Sequence, residues 1–209
     1  YKPPVTGYLL DNEEWIHALP RHELFSGGDG KPVDWSVYAP KFRYQQSTLM
    51  CTAFAGCNLA SMLNSRETGQ EVLFSPIDLF NRAHGGIYGN TIQDTVKAMQ
   101  EAVMPESVCP WTFNIDRWDY TILSLLDAYA GASVNGKMDQ GKQYAVKQAT
   151  LVSTTANAMQ QALAVSPLLA IVNVSKGYFD NPAPPASSGS LHAVVITNVA
   201  DDGKVKIFD

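Results

Sequence analysis

From Tyr44 to Ser65 the chain reads YQQSTLMCTAFAGCNLASMLNS, with no charged side chain between Arg43 and Arg66. Over residues 50–64 Ala, Leu, Met, Phe and Cys fall on every side of a helical wheel, so no face is left for solvent. A helix that is apolar all round belongs inside a protein, and enough chain must surround it. At 209 residues, 45% apolar and 17% charged, this chain suffices for one large globular domain, or two lobes sharing a core. What the buried helix leaves unexplained is the cysteine at its head, Cys51.

The segments around it sort into two textures. Residues 1–34 are broken by Pro3-Pro4, Pro20 and Gly27-Gly28-Asp29-Gly30 and read as an extended arm closed by a turn, not as a packed element. Ser75-Pro76 starts a helix with Ser75 as N-cap and Pro76 in its first turn. Thr91 opens another, on which Ile92, Val96, Met99 and Val103 recur at three- to four-residue spacing, and Thr155–Ala164 is a further helical pattern. Beyond residue 166 the pattern switches to strands rich in β-branched residues, at 167–174, 191–199 and 204–208. NPAPPASSGS, residues 181–190, reads as a loop and Asp201-Asp202-Gly203 as a hairpin turn. Helices first and antiparallel strands second make an α+β chain with two unlike lobes.

Charge and cysteine content exclude several roles. The net charge is −5 and the Lys and Arg residues form no basic stripe, which argues against a nucleic-acid partner. No apolar run approaches the roughly 18 residues that span a bilayer, so no membrane role is expected. Three cysteines without a CxxC or HExxH pattern support neither a disulfide framework nor a structural zinc site, and no metal or organic cofactor is implied. The acidic pairs Glu13-Glu14 and Asp201-Asp202 read as solvated surface. The chain begins at Tyr1 with neither an initiator Met nor a signal-peptide pattern, which reads as a processed or trimmed product.

A cysteine can be a core residue, a disulfide half, a metal ligand or a nucleophile. A nucleophilic thiol needs a lowered pKa, a base and donors for an oxyanion. A helix start supplies the first through its unpaired N–H groups and dipole. Of His17, His22, His84 and His192, only His192 opens a predicted strand beside a Gly/Ser loop, and it is the candidate base. Gln45, six residues before Cys51, is the candidate oxyanion donor together with the Cys51 N–H; neighbouring Gln46 is its rival. Cys57 lies about 240° round the helix from Cys51 and is assigned to the core, as is Cys109.

Gln, five residues, Cys, a small residue and Ala-Phe-Ala resemble the active-site helix of papain-like cysteine peptidases. His192 follows Cys51 by 141 positions, within the roughly 130–150 of that family. Val33-Asp34-Trp35, Ser75-Pro76-Ile77-Asp78-Leu79, the region Met99–Trp111 and Leu191-His192-Ala193-Val194-Val195 resemble further family segments, in the family's order, over residues 33–209. The resemblance implies a two-lobed papain-like fold with a helical lobe carrying Cys51, a β lobe carrying His192 and a cleft between them, acting on a peptide or protein substrate. It places Asp209 where the family has the Asn that orients the His, with Asp209 accepting the His Nδ1 proton. It makes Gly85, Gly86 and Gly89 marks of the cleft wall against which substrate backbone pairs. Leu191 and Ala193 become the lining of an apolar pocket for the second residue before the cut. Residues 1–32 are then an N-terminal extension or short pro-like arm, packed on the outside of the domain or partly over the cleft.

The departures carry weight of their own. Leu49-Met50 stands where a small pair is usual, and Leu49 narrows the approach of substrate. Thr52 replaces the usual Trp. The family's disulfide cysteines are absent, which favours bacterial, viral or intracellular forms. The chain stops at Asp209, where the family continues for several strands. A papain-fold protein that binds a partner without cutting it, and an acyl transferase on the same fold, are the alternatives to a peptidase. Oligomeric state is not readable from these residues.

Overall fold

The computed structural model describes residues 13–20, 33–43, 45, 48–85, 89–110, 137–174 and 190–209. Among them the helices are α1 (Glu13–Ala18), α2 (Cys51–Thr68), α3 (Pro76–Arg82), α4 (Ile92–Glu101), α5 (Met138–Lys142) and α6 (Ala156–Leu163), with a 3-10 turn at Trp35–Tyr38. The strands are β1 (Leu168–Val174), β2 (Ser190–Val199) and β3 (Val205–Phe208).

The apolar run folds as the wheel requires. Every residue of α2 from Cys51 to Met62 is buried, and α3, α4, the 3-10 turn, β1 and β2 all pack against it. The helix continues past the apolar run to Thr68 through exposed Arg66 and Glu67. It ends at Gly69, whose left-handed backbone (φ 70°) gives its N–H to Ser65 O. Gly56 sets the closeness of its neighbours. A Cβ there would stand 2.9 Å from Met99 Sδ, 3.0 Å from Leu79 Cδ2 and 3.2 Å from Thr95 Cγ2.

α3, α4 and α6 begin as their sequences indicate, with Ser75, Thr91 and Thr155 hydroxyls accepting from the backbone N–H three residues on. Arg82 then locks α3 to the end of α4. It pairs with buried Asp78 Oδ2 through Nε (2.9 Å) and Nη2 (2.7 Å) and donates to the carbonyls of Ala98 (2.7 Å) and Ala102 (2.8 Å). A cation against the last carbonyls of a helix sits at the negative end of its dipole.

The sheet is antiparallel in the order β1-β2-β3, with Val172 opposite His192 and Val195 opposite Phe208. A register shift lies between Ile196 and Asn198. Ala193, Val194, Val195, Ile196 and Thr197 are buried in succession, so both faces of β2 are covered. The segment before α2 is fastened across this interface: Trp35 Nε1 donates to Leu163 O (2.7 Å), and Arg66 stacks over the Trp35 ring at 4.5 Å.

The N-terminal arm is not wholly extended as its breakers suggested. Residues 13–18 form α1, with Glu13 and Glu14 in its first turn, where the helix dipole favours acidic side chains, and Pro20 close behind its end. Pro20 O accepts from Leu151 N at 2.9 Å, which ties this part of the arm to the domain. Residues 181–189 of the predicted loop lie outside the described residues, as does Gly86. No helix among the described residues is long and apolar enough to cross a membrane.

Gly56→Val is expected to destabilise the protein by about 1–3 kcal/mol by overpacking the α2–α4 contact. A urea midpoint equal to the parent's would contradict the close approach.

Candidate active site

Two elements bring the chemistry together: the start of α2 and the middle of β2. Met50 precedes α2 without any side-chain cap, unlike the starts of α3, α4 and α6. The first N–H groups of the most buried helix are thus left to Cys51 and to whatever approaches it, together with the positive end of the dipole.

His192 comes to the same place through sheet register. β2 side chains alternate, so His192 shares a face with Val194 and Ile196. Phe208 pairs with Val195, which puts the next residue, Asp209, beside Val194 and diagonal to His192. The contact is short: Asp209 Oδ1 lies 2.6 Å from His192 Nε2. This corrects the expected tautomer geometry, in which Asp209 took the Nδ1 proton. With Nε2 committed to Asp209, the buried Nδ1 is the ring nitrogen left for any other partner.

Burial depresses the imidazole pKa, but the hydrogen bonds to Asp209 and to Cys51, and the charges of the same two groups, outweigh it and push the value up to about 9. At that value His192 carries its second proton across neutral pH, with Asp209 and Cys51 as its partners. Burial pushes Cys57 up to about 12 and raises Cys109, so neither is an effective nucleophile.

Gln45 lies in the loop leading to Cys51. Its Nε2 donates to Thr48 O (2.8 Å) while Thr48 Oγ1 donates back to Gln45 O (2.7 Å), which closes the loop as a turn. A primary amide has two N–H donors, and the contact with Thr48 O uses one of them. Gln46 lies outside the described residues. Arg43, seen in the sequence only as the border of the uncharged run, anchors this loop. Its Nη1 donates to Phe74 O (2.6 Å) and Glu106 Oε2 (3.0 Å), and its Nη2 to Asn58 Oδ1 of α2 (3.4 Å). Its position two residues before Gln45 was the available signal.

The remaining candidates separate by role. A Cβ on Gly85 would fall 2.4 Å from the ring of buried Phe80, so this glycine is required by packing. Gly89 is buried with φ 94°, a conformation L side chains rarely adopt. Leu49 and Leu191 are half-buried and Ala193 is buried; the last two point away from the His192 face of β2. His84 is exposed at the end of α3 and takes no part in these contacts.

No family model and no curated protein matches the chain. Solved structures do. Xylellain, a cysteine protease from Xylella fastidiosa, superposes with TM-score 0.64 at 16% identity, over 94% of this chain and 80% of that one. Procathepsin B S9 from Trypanosoma congolense gives 0.66 at 13% identity, over 97% and 74%. The Carica candamarcensis cysteine protease CMS1MS2, solved in complex with E-64, gives 0.57 at 17% identity, over 80% and 76%. The chain has the papain-like fold. These neighbours come from unrelated organisms and do not select the bacterial or viral type expected from the cysteine content.

The raised histidine pKa fixes the direction of a pH effect. Between the ordinary 6.5 and about 9 the folded protein holds a proton that the unfolded chain releases. Stability from this group is complete below pH 6.5 and is lost as pH rises through 9. Asp209→Asn removes one of the two charges and should flatten that decline, measured as urea midpoints from pH 6 to 10. An unchanged profile would contradict the Asp209–His192 pairing.

Proposed function

We propose that this chain is a papain-like cysteine endopeptidase whose nucleophile is Cys51. The observation that carries the reading is His192, held through Nε2 by Asp209 and with Cys51 as its other hydrogen-bond partner. Cys51 as thiolate attacks the substrate carbonyl, and the tetrahedral oxyanion is met by the Cys51 N–H and the free N–H of Gln45 Nε2. The His192 Nδ1 proton passes to the leaving amine as the C–N bond breaks, giving a thioester and neutral imidazole. His192 then takes a proton from water, whose hydroxide attacks the thioester. The acid departs, and Cys51 leaves as thiolate beside the restored imidazolium. Asp209 stabilises the imidazolium and fixes the ring's orientation, as an Asn carbonyl does in the family that the chain resembles. Leu49, Gly85 and Gly89 are assigned to the border of the cleft, and Leu191 with Ala193 to the apolar pocket for the second residue before the cut.

A second reading has its own observation. Cys51 is 1% exposed and His192 2%, in a chain whose Leu49 already narrows the approach. A papain-fold protein that holds a peptide or protein partner without cutting it fits that covered site. Acyl transfer shares the thioester and differs only in an amine replacing water.

A peptide-library digest separates these readings. The parent is expected to cut with Leu, Val or Phe at the second position before the bond, and Cys51→Ala to lose turnover by 10³-fold or more with an unchanged circular dichroism spectrum. Cleavage retained in Cys51→Ala, or a charged preference at that position, would refute the assignment. An amide product formed with added amine would mark the transferase.

A further inference from the structure

Thr52, the residue after Cys51, is fully buried, and its hydroxyl donates to the side-chain oxygen of Asn90, which is 2% exposed. Asn90 Nδ2 donates in turn to Thr95 Oγ1 of α4 (2.9 Å), and Thr95 Oγ1 donates to Thr91 O (2.9 Å). Thr91, the N-cap of α4, accepts from Asp94 N (2.9 Å) and donates to Asp94 Oδ2 (2.8 Å). From Thr52 through Asn90 and Thr95 to Thr91 O each link runs donor to acceptor in one direction, which fixes the orientation of the Asn90 amide.

The ladder joins three things that an ordinary core would join by apolar contact: the residue beside the nucleophile, the backbone following Gly89, and the start of α4. Apolar contacts slide, whereas a buried, directional hydrogen-bond chain has one register. Gly89, with its φ of 94°, sits directly before Asn90, so the amide that binds Thr52 also sets where the Gly89 backbone stands relative to Cys51.

We infer that Thr52 and Asn90 are positioning residues, which hold the Gly89 side of the cleft at the distance from Cys51 at which a peptide backbone is presented to the thiolate. The inference rests on the peptidase reading above and adds to it the device that replaces the bulky aromatic residue expected after the cysteine. The ligand class it serves is an extended peptide. Neither side chain touches the reacting atoms, so thiolate reactivity toward a small electrophile does not depend on the ladder, while reactivity toward a peptide-like one does.

The test is the second-order rate of Cys51 modification by two reagents, iodoacetamide and a peptidyl epoxide, in the parent, Thr52→Val, Thr52→Ser and Asn90→Ala. Intact mass counts the labels and peptide mapping assigns them to Cys51, because all three cysteines are buried. Thr52→Val keeps the shape and removes the hydroxyl; Thr52→Ser keeps the hydroxyl. Expected is a loss of about tenfold or more with the epoxide in Thr52→Val and Asn90→Ala, an iodoacetamide rate within about twofold of the parent, and recovery in Thr52→Ser. Equal losses with both reagents would overturn the inference, because the ladder would then act on the nucleophile or on the fold at large. Unchanged rates with both would overturn it as well, leaving the ladder a packing feature. A parent inert to both reagents would overturn the peptidase reading and this inference with it, an outcome distinct from the other two.

Discussion

The site depends on one meeting: the uncapped start of α2 against the middle of β2, with His192 between Cys51 and Asp209. Each participant alone is unremarkable chemistry. A cysteine at a helix start gains from the dipole, a strand histidine needs two polar neighbours, and a carboxylate at the end of a short strand is half in solvent. Brought together in a buried place they constrain one another. Despite burial, the hydrogen bonds of the imidazole to Asp209 and Cys51 raise its pKa to about 9. Burial without those partners would drive the same ring to neutrality.

Holding that meeting in register takes buried polar contacts, which are costly unless complete. Arg43 reaches Phe74 O, Glu106 and Asn58 and so fixes the loop that carries Gln45 against α2. Arg82 and Asp78 clamp α3 to α4, and the Thr52–Asn90–Thr95 ladder joins α4 to the residue after Cys51. Gly56 and Gly85 remove the side chains that would otherwise keep α4 from α2 and the turn after α3 from Phe80. The apolar core supplies the bulk of the stability, and these contacts select one arrangement of it.

What the sequence makes legible follows from how local each signal is. α2 is readable because an apolar wheel needs only its own residues, and the Ser75 and Thr91 caps because a cap acts three residues away. The order of Gln45, Cys51, His192 and Asp209 is readable through resemblance, and the fold agrees with the solved papain-like structures. The contact of His192 Nε2 with Asp209 is not, since it needs the pairing of Phe208 with Val195, a fact of sheet register. Arg43 and Asn90 stay hidden because their partners lie far along the chain, Glu106 for one and Thr52 for the other. α1 is hidden for the opposite reason: its six residues are too few for a periodic pattern among so many breakers.

The central claim is that Cys51 and His192 form a thiolate–imidazolium pair, and the rate of Cys51 alkylation by iodoacetamide as a function of pH tests it most directly. An ordinary thiol, with a pKa of about 8.5, is almost wholly protonated at pH 6 and reacts slowly there. The pair predicts rapid modification at pH 6, reduced in His192→Ala. A rate in the parent that rises only toward pH 8.5, and is the same in His192→Ala, would contradict it.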